Sequence, residues 1–309
     1  MRKYFPAFLS VVLIITLFSF WSCNNSSADA RVLKFNLEKG KTYDFEIVMD
    51  LDQEVMQQNN KIGFIASYAL AVTEDDGKIK SLTGEYKDFK MSMKMMGQEI
   101  NIDGAKKPVQ LNEDSSQNNP LALLSNAFSG IIGKKFNLKV DETGNILEVT
   151  GFEELISGMI DAMNLTEEKK LMVTASLKDQ FNAEKIRESF APLFNIYPDK
   201  PIKTGDSWER SYKLKSGSAI KYSTKYTLKS FNGENALLNV NTRIESVSDT
   251  TASTILGDMK MSGTQTGVMT VNTKSGLVVS AELNQNIATT GNLKMKMIGK
   301  TKMKGKEQN

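Results

Sequence analysis

The sequence has no histidine, one cysteine and only six prolines in 309 residues. Without histidine it lacks the commonest general base, the commonest zinc ligand and every Ser-His or Cys-His nucleophile pair. A single cysteine excludes a disulfide within the chain. A surplus of one charge sign is also missing. The 39 basic and 36 acidic residues leave a formal +3, which drops to about +1 if Arg2 and Lys3 leave with a leader, so there is no general field for nucleic acid. No glycine loop of the Walker or dinucleotide type occurs. The neighbouring acids Asp75-Asp76 and Glu153-Glu154 fall in an expected turn and an expected helix start. They read as solvated charge, not as the spaced carboxylates of a glycosidase. The chain therefore reads as non-enzymatic and calls for no cofactor. Hydrophobic residues make up 40% of it, enough for a core in one large β-rich domain.

The lone cysteine follows an apolar run. Arg2 and Lys3 precede Tyr4 to Trp21, a stretch short of the ~20 apolar residues that cross a bilayer comfortably. A positive start, a short apolar core and a small residue at its end are the pattern of an export signal. Cys23, preceded by Ser22, resembles the lipobox cysteine of bacterial lipoproteins, which is acylated (palmitate or a similar chain) and becomes the first mature residue. Phe20 and Trp21 depart from that pattern. Cleavage after Ala30, giving a soluble periplasmic protein, is the alternative. The expected organisation is a signal peptide over 1–22, a lipidated tether over 23–31, a β-rich first half over 32–151, a helical insert over 152–195 and a β-rich second half over 196–309.

Strand periodicity dominates the rest. In KTYDFEIVMDLDQEV the apolar Tyr43, Phe45 and Ile47 alternate with polar residues. Hairpins are expected around Gly77, Gly144 and Gly276, where glycine supplies positive φ at little steric cost. Two pairs of segments hint at internal duplication: GKTYDFEIVM from Gly40 with GDSWERSYKL from Gly205, and FNLKVDETGNILEV with GVMTVNTKSGLVV. The separations differ, 165 residues at the first pair and 132 at Gly144/Gly276, so extra residues are expected in the first half. A helix opening at Asn119-Pro120, with Leu121, Leu124, Phe128 and Ile131 on one face, is the candidate. In the insert, Thr150 and Glu153 have capping-box spacing, Phe152 to Met163 carries an apolar stripe for packing on a sheet, and Pro192 is expected to stop the last helix. The fold class is α+β, mainly antiparallel: a curved sheet or half-barrel with a helical insert.

From Tyr197 to Leu214 the chain reads YPDKPIKTGDSWERSYKL, a proline-flanked loop followed by Gly205, Asp206, Ser207 and Trp208 opening a strand. With LEKGKTYDFEI and DETGNILEVTGFEEL elsewhere, this resembles a family of uncharacterised Gram-negative envelope lipoproteins. The resemblance implies an exported, mainly antiparallel β domain and carries no activity. Trp208 reads either as a packing residue at a sheet edge or as a ligand-stacking surface.

Methionine is abundant, at 16 residues, and recurs at strand period. Met91, Met93 and Met95 alternate with Lys90, Ser92 and Lys94. Met259 and Met261 alternate with Asp258 and Lys260, and Met295 and Met297 with Lys294 and Lys296. Alternation sends the methionines to one face and the lysines to the other. The methionines fill a core, line a pliable site for a lipid or other apolar ligand, or hold Cu(I) through their thioethers. The lysines guard strand edges, stay solvated or meet anionic head groups. The expected function is a lipid-anchored envelope protein, at the outer membrane, binding an apolar ligand or an envelope partner. A structural or assembly lipoprotein without a small ligand is the alternative.

Overall fold

The computed structural model describes residues 30–95, 98–106, 120–180, 182–216, 218–247, 260–291 and 294–308. Cys23, Asn119 and Met259 lie outside the described residues. From Arg31 onward the chain forms one unit. Its elements, in order, are β1 (Thr42–Val55), β2 (Gln58–Asp75), β3 (Ile79–Met95), β4 (Gln98–Asp103), α1 (Pro120–Ile131), β5 (Lys135–Asp141), β6 (Ile146–Thr150), α2 (Phe152–Met163), α3 (Glu167–Gln180), α4 (Ala183–Phe194), β7 (Ser207–Ser216), β8 (Ser218–Asn232), β9 (Asn235–Ser246), β10 (Lys260–Asn272), β11 (Val278–Thr290) and β12 (Met295–Glu307).

The strands form one open, curved antiparallel sheet in the order β6-β5-β3-β2-β1-β12-β11-β10-β9-β8-β7, with β4 pairing off β3. Its edges, β6 and β7, both touch α4. Arg187 Nη2 donates to Leu147 O on β6 at 3.4 Å, and Asn195 Nδ2, just after α4, donates to Ser211 O on β7 at 3.1 Å. Carbonyls on both edges thus find donors, which blunts edges that would otherwise pair with other chains.

The two halves follow the same path, and their equivalent positions make the same bonds. Gly40 N–H donates to Val72 O and Val72 N–H to Lys41 O; Gly205 N–H donates to Leu228 O and Leu228 N–H to Asp206 O. A bulge follows each, at Val72/Glu74 and Leu228/Ser230. Matching bulges recur at Lys139/Val140 and Thr270/Val271. In the next turn the Asp141 carboxylate accepts from the N–H of Thr143 and Asn145. In its counterpart the Asn272 side-chain oxygen accepts from Lys274 and Ser275. The longer first half is accounted for by β4 and α1, which intervene between β3 and β5.

The core lies between one face of the sheet and the helices. Directly opposed residues of neighbouring strands share a face, so Tyr43, Phe45, Tyr68, Leu70, Leu228, Leu238, Met269 and Met303 form a continuous buried layer. Leu155, Met159, Ile186, Phe190 and Phe194 pack on it from α2 and α4.

Three local expectations fail. Helix α2 is entered through Gly151 at φ 80° with no side-chain cap. Thr150 is the last residue of β6, opposite Asn137, so it cannot also take the capping position. Of the expected face of α1, Ile131 is buried and Phe128 packs on the core, while Leu124 is 37% exposed and Asn126 and Ala127 are buried instead. Small residues turn α1 this way: a Cβ on Gly130 would fall 2.1 Å from Gly158 O of α2, so the two helices cross almost backbone to backbone. Pro192 sits inside α4, which continues to Phe194, because proline removes one backbone donor and the next turn is kept by Asn195 N–H on Ala191 O. Helix α3 has no apolar stripe and leaves Leu171 and Met172 exposed at 76% and 68%.

Candidate functional site

Among the described residues the helices pack on the inner face near the start of β1, and α1 also touches β4. Toward the Val55 end the same face carries the methionines. Met91 lies opposite Phe64 and Ile102, and Met93 opposite Ile62 and Ile100. Met297 lies opposite Gln53 and Ile287, and Met295 opposite Val55 and Thr289; Met261 faces Thr289 from β10. The pairs Met49–Phe64 and Met49–Thr301 join both groups on one face. β3 and β12 are separated by β2 and β1, so the groups lie about 14 Å apart. Met95 ends β3 opposite Gln98.

Met91, Met93, Met261, Met295 and Met297 are half-buried. The core methionines Met159, Met269 and Met303 are only 4%, 3% and 6% exposed. The alternating set is thus less buried than the core methionines, although its cross-strand partners Ile102, Ile287 and Thr289 are buried. At its rim the β1–β2 hairpin turns through Met56 and Gln57, with φ 49° and 68°, a conformation that favours Asn-Gly. Met56 is 71% exposed there.

The lysines opposite have a different role from edge protection. β12 is an internal strand between β1 and β11. On its outer side Lys296, Lys300, Lys304 and Lys306 stand directly opposite Glu54, Asp50, Glu46 and Asp44 of β1. Opposite charges in register contribute roughly 0.2–1 kcal/mol per pair. The lysine row thus complements the acids of the strand from the other end of the chain.

Trp208 is a packing residue. Its Nε1–H donates to Ile196 O at 2.8 Å, and its ring stacks on Tyr226 with centroids 5.6 Å apart. It sits on edge strand β7, with β8 and β9 between it and the nearest methionine strand, and is not brought together with the methionines. The Met295 sulfur accepts a hydrogen bond from Gln53 Nε2 at 2.9 Å. Among the described residues no group of three or more His, Cys, Asp or Glu is placed to hold a metal. The acids Asp75 and Asp76 organise their turn. Asp76 accepts from the N–H of Lys78 and Ile79, and Asp75 accepts from Gly77 N–H and pairs with Lys80, which is only 5% exposed. The partners of Asp75, Lys80 foremost, hold its carboxyl below the usual range.

A second concave site was not anticipated. A cavity of about 170 Å³ lies between the sheet and the helices, walled by Tyr86, Phe128, Phe136, Met159, Ile186 and Phe190. Burial pushes the Tyr86 hydroxyl up to about 12, so it stays a donor at neutral pH. Directly across the strand pair lies Tyr68, whose buried hydroxyl has no hydrogen-bond partner among the described residues. The bulge at Ser67/Tyr68 breaks simple alternation, which hides this pair from a period-two reading.

No match to this chain is found among curated proteins. Among solved structures it is similar to lipovitellin, with a TM-score of 0.45 at 6% identity, covering 88% of this chain and 26% of that one. It is also similar to the β domain of the Bordetella autotransporter BrkA, with a TM-score of 0.31 at 6% identity, covering 85% and 99% of the respective chains. The chain thus spans about a quarter of the lipovitellin chain. A sequence profile described as a family of unknown function, DUF6263, matches residues 77–278, and the chain belongs to that family.

Proposed function

We propose that the protein is a non-enzymatic lipoprotein of the Gram-negative envelope, held at the outer membrane through acylated Cys23, that receives a long apolar chain on its methionine face. The observation that carries this reading is the row of half-buried methionines on the inner face. Thioether side chains are flexible and polarizable, so such a face repacks around varied apolar partners. The tether is short. Arg31 is pinned by reciprocal backbone bonds to Ile202 and lies over the Phe231 ring at 4.4 Å. The eight residues between it and Cys23, counting Arg31, reach at most about 27 Å.

Two experiments test the two parts. Intact-mass analysis of membrane-derived protein should give a chain starting at Cys23 with added acyl mass, and Cys23→Ala should release it from the membrane or leave it unprocessed. A mature terminus at Arg31 would end the anchor claim. For the face, a fluorescent hexadecanoyl probe should bind, and Met93→Ala with Met297→Ala should weaken it while costing about 1 kcal/mol or less each, since these side chains are only half-buried. Met269→Ala, in the core, should cost about 2–5 kcal/mol. Equal stability losses at all three positions with unchanged probe binding would refute the face as a site.

A further inference from the structure

The cavity under α1, α2 and α4 has a chemistry unlike that of the methionine face. Its walls are aromatic and aliphatic, and its polar groups are the Tyr86 hydroxyl, the Lys185 ammonium and the Ser189 hydroxyl, with no carboxylate among the lining side chains. Ser189 already donates to Ile186 O at 2.8 Å. The Tyr86 hydroxyl makes no hydrogen bond among the described residues, and its ring leans on Phe136 with centroids 5.6 Å apart. Tyr68, its cross-strand partner, buries a second hydroxyl without an acceptor while its ring meets the cavity wall edge-on at Phe190, centroids 5.7 Å apart. Buried hydroxyls normally find partners. Here the Tyr68 hydroxyl lacks one, beside a space large enough for a guest.

Size and polarity narrow the guest. Apolar cavities of about 150 Å³ take up benzene-sized molecules, so about 170 Å³ admits a single ring or a short acyl chain. That size separates this site from the extended face above. We propose that this cavity binds a compact aryl or short-chain acyl carboxylate, whose oxygen accepts a hydrogen bond from the Tyr86 hydroxyl and whose apolar body rests on Phe128, Phe136 and Phe190. The inference does not depend on the methionine-face reading, because no methionine of that face lines the cavity.

The test uses the mature protein in lipid nanodiscs and two probes followed by fluorine NMR: 4-fluorobenzoate, and 4-fluorotoluene, which lacks the acceptor oxygens. 4-Fluorobenzoate should bind saturably. Tyr86→Phe, which removes one oxygen and keeps the ring, should raise its Kd about three- to tenfold and leave 4-fluorotoluene unaffected. Met159→Trp should fill the space and abolish both signals; the unfolding midpoint, read from Trp208 in Tyr86→Phe and by circular dichroism in Met159→Trp, checks that each variant folds. Met93→Ala should change neither probe. Absence of saturable 4-fluorobenzoate binding, or an unchanged affinity in Tyr86→Phe, overturns the proposal. Loss of binding in Met93→Ala but not in Tyr86→Phe overturns it too, and assigns the probe to the methionine face instead.

Discussion

Replacing Gly144 with alanine is expected to destabilise the domain by about 2–5 kcal/mol, combining a left-handed backbone with forced overpacking. Gly144 sits at φ 83°, and a Cβ there would lie 1.7 Å from Phe194 O and 2.9 Å from the Tyr197 ring. Neither neighbour can yield easily. Phe194 ends α4 and is 2% exposed, and Tyr197 is 1% exposed, with its hydroxyl donating to Gly276 O at 2.7 Å. Gly276, the counterpart in the second half, has φ 72°, and a Cβ there would lie 2.1 Å from Lys34 O, so Gly276→Ala should cost a similar amount. Gly77 separates the two contributions. It has φ 90° with nothing within 4 Å of a Cβ, so Gly77→Ala should cost only the backbone part, ~1–2 kcal/mol. Chemical denaturation of the three variants, followed through Trp208, measures the difference. If Gly77→Ala and Gly144→Ala lose the same stability, the turn does not dock on the chain leading into the second half.

Matching local bonds explain why the two halves resemble each other in short strings. GDSWERSYKL and GKTYDFEIVM look alike because Gly40 and Gly205 close the same bonded turn before a strand. The turns at Gly144 and Gly276 are alike for the same kind of reason, an Asp or Asn side chain bonding its own backbone ahead of a left-handed glycine. Strand alternation was equally legible, since a half-covered face imposes period two on Met91–Met93 and Met295–Met297. What alternation does not contain is neighbourhood. Nothing in NLKMKMIGKTKMKGK says that its lysines meet Asp44, Glu46, Asp50 and Glu54 across a strand pair joining opposite ends of the chain. The cavity escaped for the same reason. Its walls come from β3, β5, α1, α2 and α4, and Tyr86 is one aromatic in an unremarkable strand until α4 is laid over it. The helix signals misled where two demands fell on one residue, as at Thr150, which the strand claims before the helix can.

Ile156→Asp should be the most damaging of the surface-distant substitutions in the helical layer, at on the order of 4 kcal/mol or more. Ile156 is 2% exposed on α2, whose buried side also holds Leu155, Gly158, Met159 and Ile160. A carboxylate at that depth must either stay charged without a partner or take up a proton, and both states oppose folding. Relief by movement is blocked, because α2 is held against α1 at the Gly130–Gly158 crossing, where the backbones leave no room for a side chain. Ile156→Val keeps the site apolar and should cost only about 0.5–1.5 kcal/mol. The loss in Ile156→Asp should shrink as pH falls through the carboxyl's raised folded-state pKa, because protonation removes the buried charge in the native state before it does so in the unfolded one. Denaturation midpoints for both variants at neutral and mildly acidic pH decide the matter. A neutral-pH midpoint for Ile156→Asp equal to that of Ile156→Val would mean that α2 presents this face to solvent, and the layered core, with the cavity beneath it, would have to be abandoned.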